Sequence, residues 1–142
     1  MMPGAADKGA ADKAASGTAS ARVLVVDDSS VARRQVRQAL EAVGISVSEA
    51  SEGVEALWRA RQQPFDLIIT DIHMPAMDGL QLLRELRKCP GNERTPVYVL
   101  TSDGSRERLA EGRAAGATAW IVKPANIPML VDAVLDAVGK KR

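Results

Sequence analysis

Val23-Leu24-Val25-Val26-Asp27-Asp28-Ser29-Ser30 decides how the rest of this chain is to be read. Four apolar residues, mostly β-branched, run without polar alternation into two acids and two hydroxyls. A run of that kind predicts a strand buried on both faces, as in the middle of a parallel sheet. Asp and Ser at its end supply helix-capping chemistry. Beyond them Ala32, Val36, Ala39, Leu40 and Val43 recur at helical spacing on one face, with Gly44 as the stop. The stretch is therefore a strand feeding a helix, with an acid pair at the joint.

Working outward, the same alternation returns. Residues 45–49 form a weaker strand, and 51–63 a helix burying Val54, Leu57 and Trp58 and ending before Pro64. Residues 65–70 read as a third strand, and 80–88 as a third helix with Leu80, Leu83 and Leu86 aligned. A fourth strand, 97–100, is entered through Thr95-Pro96 and precedes a helix over 106–115 that ends at Gly116. The last strand covers 119–122. The last helix covers 129–138, with Leu130, Val131, Val134, Leu135 and Val138 on its buried face. Strands alternating with helices of this length predict an α/β fold: a five-stranded parallel sheet with right-handed crossovers, helices covering both faces. Upstream the pattern is different. Gly4-Ala5-Ala6-Asp7-Lys8 repeats as Gly9-Ala10-Ala11-Asp12-Lys13 with no large apolar anchor, so residues 1–21 read as a disordered Ala/Gly-rich tail and 22–142 as the domain.

Composition narrows the function classes. The 142 residues carry 19 Lys+Arg against 18 Asp+Glu, a net charge of +1, which argues against a dedicated nucleic-acid binder. The single cysteine, Cys89, excludes an internal disulfide framework and fits a reducing cytoplasm. No apolar run approaches the ~18 residues that would span a bilayer, and the N-terminus lacks the apolar core of a signal peptide. With aromatics at 3%, the core must be mostly aliphatic.

In open α/β sheets ligands bind outside the carboxyl ends of the strands. The first strand ends in Asp27-Asp28, the third in Asp71, the fourth in Thr101-Ser102 and the fifth in Lys123-Pro124. Carboxylates, a hydroxyl and an ammonium thus converge on one rim. Clustered carboxylates need a cation, and hard oxygen ligands with access to water suit Mg²⁺ or Mn²⁺. Lys123 and Thr101 then offer a cation and a hydrogen-bond donor to an anion, an assembly suited to placing a phosphoryl group on a carboxylate.

With these residues in this order, the sequence resembles the receiver domain of two-component response regulators, chemotaxis-like and single-domain. The resemblance rests on Asp27-Asp28 after a β-branched run, on Asp71-Ile72-His73-Met74-Pro75-Ala76-Met77-Asp78-Gly79, on Thr101-Ser102 and on Lys123-Pro124, and it covers about residues 22–140. It implies the flavodoxin-like (βα)5 fold with strand order 2-1-3-4-5. It implies that Asp71 accepts a phosphoryl group from the phosphohistidine of a sensor histidine kinase or phosphotransfer protein. Asp28 and Asp71 would ligate Mg²⁺ directly with the backbone carbonyl of His73, and Asp27 partly through water. Lys123 would pair with the phosphoryl oxygens, and Thr101 would move toward them. Trp120 stands at the family's switch-aromatic position, more commonly Tyr or Phe, and the Lys123-Pro124 peptide would be cis. A downstream protein target would read the surface made by the fourth helix, fifth strand and fifth helix.

Plainer roles exist for each residue. Asp27 or Asp28 could cap the first helix, Asp71 could sit in a turn, and Trp120 could be ordinary core. Two adjacent acids are more than a cap requires, and Asp78-Gly79 already provides turn chemistry. His73 and Asp103 lie two residues after Asp71 and Thr101, where they would flank the phosphoryl group, tune its lifetime and pair across the pocket mouth. Cys89 ends the third helix, and Lys140-Lys141-Arg142 would complement the dipole of the last one. The fourth helix contains one large aliphatic, Leu109, and an internal Gly112, so it is weakly anchored, as a moving element should be. An aspartyl-phosphate phosphohydrolase of the haloacid-dehalogenase type would need an acid two residues after the nucleophile, where His73 stands. The expectation is a signalling switch whose own chemistry is self-phosphorylation and autodephosphorylation, not an enzyme on an external substrate. The alternatives are a phosphorylation-independent interaction module and a receiver fragment of a longer regulator.

Overall fold

Strand and helix alternate strictly through the residues that the computed structural model describes, 20–139. The elements are β1 (Arg22–Val26), α1 (Ser30–Glu41), β2 (Ser46–Ala50), α2 (Gly53–Gln62), β3 (Leu67–Thr70), α3 (Gly79–Lys88), β4 (Val97–Thr101), α4 (Arg106–Ala115), β5 (Ala119–Val122) and α5 (Ile127–Val134), and α5 runs on into a π-helical turn, Leu135–Gly139. All pairings are parallel, in the order β2-β1-β3-β4-β5. The architecture is the one the alternation predicts. The tail expected over 1–21 lies outside the described residues as far as position 19, and so does the basic end, 140–142.

Because successive strand side chains point to opposite faces, β1 feeds two cores. Leu24 and Val26 face Leu57 of α2 and Leu82, Leu83 and Leu86 of α3. Val23 and Val25 face Val36 and Leu40 of α1 and Leu130 and Val134 of α5. The central strands β3 and β4 are buried along their whole length, while β2 and β5 at the edges are only partly covered. No helix among the described residues is long and apolar enough to cross a membrane.

Several boundaries and faces differ from the sequence reading. Val54 and Trp58, expected in the core, are 53% and 59% exposed. Helix α2 instead presents Gly53, Ala56, Leu57 and Ala60 to the sheet; small side chains let it lie close, and the larger pair is left on the outer stripe. Val43 is exposed as well, because α1 ends at Glu41 and the chain turns through Val43 and Gly44. β2 begins and ends one residue later than expected, and Phe65 is buried just ahead of β3. Helix α5 starts at Ile127, earlier than expected: Asn126 caps it, and Pro128 sits in its first turn, where a missing N–H costs nothing.

One close approach ties this frame to the rim. Gly79 opens α3 against the end of β3, its N–H donating to the Ile72 carbonyl at 2.9 Å. A methyl group added there would overlap the Asp71 carbonyl oxygen and lie 2.9 Å from Ile72 Cα, both backbone atoms. Gly79→Ala is expected to destabilise the chain by about 2–3 kcal/mol, as overpacking against an unyielding neighbour does. Urea denaturation would show it as a lowered midpoint at unchanged slope.

Candidate functional site

Register builds the site. Val26 and Thr70 are partners across β1 and β3, so Asp27 and Asp71 leave neighbouring strands at the same level. Thr101 ends β4, and the Lys123 N–H beyond β5 donates to its carbonyl at 2.8 Å. The Lys123 side chain then spans the rim. Its Nζ donates to Asp27 Oδ2 at 2.7 Å and to Asp71 Oδ2 at 2.9 Å. The other oxygen of each carboxylate is met by backbone: Ser29 N–H donates to Asp27 Oδ1 at 2.9 Å, and the Ile72 and His73 amides donate to Asp71 Oδ1 at 2.5 and 3.2 Å. Asp27, Asp71 and Thr101 are all buried, whereas Asp28 is exposed. Capping of α1 falls to Ser29, whose Oγ accepts from the Ala32 amide, so neither acid is consumed by that task.

Charge behaviour follows from this packing. Burial pushes the Asp71 carboxyl up, but the Lys123 hydrogen bond, the Thr101 hydroxyl, the Lys123 charge and the His73 amide outweigh it, and the net shift is downward. Lys123 is the mirror case: burial lowers it, and hydrogen bonds and charge from Asp27 and Asp71 raise it overall. Two buried carboxylates thus flank one ammonium, with Asp28 exposed beside them. Among the described residues no three His, Cys, Asp or Glu side chains stand together so as to hold a metal ion by themselves. That arrangement fits Mg²⁺, which is held by one or two carboxylates and keeps several waters. Asp27, Asp28 and Asp71 are the oxygen donors of the required type.

The mouth is formed by the residues after Asp71 and Thr101. His73 Nε2 lies 3.4 Å from Asp103 Oδ2, and Arg108 Nε approaches the same oxygen at 3.8 Å. Asp103 Oδ1 accepts from the Ser105 amide, and with these hydrogen bonds the Asp103 carboxyl is held below its usual range. The Asp103 backbone carbonyl accepts the Trp120 indole N–H at 3.1 Å. Trp120 is half-buried beside Ile72, Leu80 and Val99, and a methyl at Gly112 would overlap its ring. The Lys123-Pro124 peptide is cis. Cys89 is the buried C-cap of α3 and touches nothing at the rim.

The sequence reading did not single out Arg33, Arg108 or the seat at Gly112. Arg33 donates to the Asp27 carbonyl at 2.6 Å and to Glu49 at 2.8 Å, pinning the acid pair from α1. Its place one turn into the helix that follows the acids was the available signal. Arg108 gave none, since an exposed arginine in a polar helix is ordinary.

The sequence profile of the response regulator receiver domain matches residues 23–135. The gliding motility regulatory protein of Myxococcus xanthus is 44% identical over 102 residues, which span 72% of this chain but only 13% of that protein. The Vibrio cholerae chemotaxis protein CheY4 superposes with a TM-score of 0.80 at 39% identity, covering 84% of this chain and 99% of its own. The receiver domain of a Pseudomonas aeruginosa sensor histidine kinase, with a magnesium ion coordinated in its active site cleft, superposes with a TM-score of 0.79 at 25% identity, covering 86% of this chain and 100% of its own.

The paired shifts define a pH window. The depressed Asp71 contributes stability above its unfolded value of about 3.9 and loses it as pH falls through the lower folded value; the raised Lys123 contributes below about 10.4 and loses it as pH rises through the higher folded value. In Lys123→Met without divalent cations, burial acts on Asp71 with its ammonium partner gone. Its carboxyl carbon, followed by NMR, should titrate above that of wild type. An unchanged midpoint would show that Lys123 does not hold the charge.

Proposed function

This chain belongs to the response regulator receiver domain family, and we propose that it is a phosphorylation-dependent signalling switch with Asp71 as the phosphoacceptor. The observation that carries this is the Lys123 ammonium lying between the Asp27 and Asp71 carboxylates, at 2.7 and 2.9 Å. It keeps Asp71 ionised, hence nucleophilic, in a partly desolvated rim.

The donor is the phosphohistidine of a sensor histidine kinase or of a phosphotransfer protein. An Asp71 carboxylate oxygen attacks phosphorus, an O–P bond forms as the N–P bond breaks, and the imidazole leaves with a proton from solvent. Asp28 and Asp71 with the His73 carbonyl would hold Mg²⁺ directly and Asp27 partly through water, and the ion would supply charge neutralisation for the incoming oxygens. Lys123 exchanges its carboxylate partner for a phosphoryl oxygen, keeping the charge balance. The Thr101 hydroxyl, fully buried at the end of β4, donates to another. Hydrolysis returns Asp71 to its free state, and His73 with Asp103 controls the approach of water.

The readable surface is α4-β5-α5. Helix α4 buries only Gly112, and β5 ends in Val122, 47% exposed. An element so lightly held shifts at small cost when Thr101 and Trp120 change position. A protein target that prefers the phosphorylated form must, by linkage, favour phosphorylation itself.

Intact mass after incubation with Mg²⁺ and acetyl phosphate tests this reading. Wild type should gain one labile phosphoryl group and Asp71→Asn none. Lys123→Met should slow the gain about 100-fold, the usual effect of removing a preorganised charge-stabilising donor. An adduct that survives Asp71→Asn, or none on wild type from either acetyl phosphate or a phosphorylated kinase, would overturn it.

A further inference from the structure

Away from the rim, α2 and α3 enclose a groove of about 330 Å³ lined by Val54, Met77, Gln81, Arg84, Glu85 and Lys88. Val54 is its α2 wall, and the α2 stripe runs on from there past the groove. Val54 is 53% exposed and Trp58, one turn further along the same stripe, 59%. Arg61 continues that stripe at the next turn. Its α3 side is basic: Arg84 and Lys88 lie one turn apart on an exposed stripe. The single acid of the lining, Glu85, is 3.5 Å from Lys88. Arg61 and Arg84 have no carboxylate partner among the described residues.

A tryptophan and a valine exposed one turn apart on the same helical stripe leave a sizeable apolar surface uncovered. Tryptophan and arginine dominate binding energy where they occur at interfaces, and methionine adapts its shape to a guest. The geometry points to a docking site for an acidic amphipathic helix of a protein partner, with its apolar residues one turn apart on Val54, Trp58 and Met77 and its carboxylates on Arg61, Arg84 and Lys88. Helix-in-groove recognition reads such anchors at helical spacing. A second copy of this chain is a poor occupant, since it would set basic wall against basic wall. The site lies on the same face of the sheet as α4, separated from it by the body of α3, and does not depend on the phosphoryl chemistry.

Amide NMR of the full chain, titrated with a synthetic acidic amphipathic peptide about 15 residues long, tests the proposal. Two controls accompany it: the same composition scrambled to break the apolar stripe, and a version with every acid replaced by Lys. The acidic amphipathic peptide should shift the amides of Val54, Trp58, Arg84 and Lys88. Trp58→Ser should weaken binding at least about tenfold. The double variant Arg84→Glu, Lys88→Glu should lose the acidic peptide and gain the basic one. These side chains are exposed, so the core is untouched. The assignment is overturned if the scrambled peptide binds as well, if the shifts map to another face, if neither variant changes affinity, or if the chain dimerises through Trp58 without peptide.

Discussion

One ammonium held between two carboxylates from neighbouring strands is the constraint on which the rim depends. Asp27 and Asp71 leave β1 and β3 side by side and buried, an arrangement that like charges in a low-dielectric setting do not tolerate alone. The compensating charge comes from β5, two strands away from β3 in the sheet. Lys123 must therefore reach past Thr101, and its backbone N–H is tied to the Thr101 carbonyl. The strand order brings four distant segments to one point, and the ion pairs keep them there. Even so, the acids outnumber the ammonium, and this leftover negative charge is what a divalent cation and a phosphoryl group would together resolve.

The lightly held side of the molecule lies next to this tightly held rim. Asp103 is the link: its carboxylate faces His73 and Arg108, and its carbonyl holds the Trp120 indole. Trp120 in turn rests on Gly112, the one buried residue of α4. A displacement at Thr101 is therefore two residues from a carbonyl that positions the aromatic, and the aromatic positions the helix. This contiguity is physical contact; energetic coupling along it would require two states, which the proposed modification of Asp71 would distinguish.

Much of this was legible in the sequence, for identifiable reasons. An unbroken β-branched run such as 23–26 has few alternatives to a buried strand, and the residue following each strand falls by construction on one rim. Asp27, Asp71, Thr101 and Lys123 could be placed together on that basis. The resemblance gave Asp28 the direct metal contact and Asp27 one partly through water, but which of two adjacent acids turns inward depends on the local turn; Asp27 does, onto Lys123, and Asp28 stays exposed. Helix α2 misled for a different reason. Val54, Leu57 and Trp58 fit one helical face by hydrophobicity, but close packing on the sheet favours the face with Ala56 and Ala60, and size won over hydrophobicity. Arg33 and Arg108 were invisible because their roles are set by tertiary neighbours, not by spacing.

On the proposed reading, the uncompensated charge of this rim, not the fold alone, would select the divalent cation. Mg²⁺ titrated by calorimetry into wild type, Asp27→Asn, Asp71→Asn and Lys123→Met measures that directly. One site is expected in wild type, weakened about tenfold or more by either asparagine and strengthened in Lys123→Met, where a competing cation is gone. Magnesium affinity indifferent to Asp71→Asn, or weakened by removing Lys123, would contradict the account.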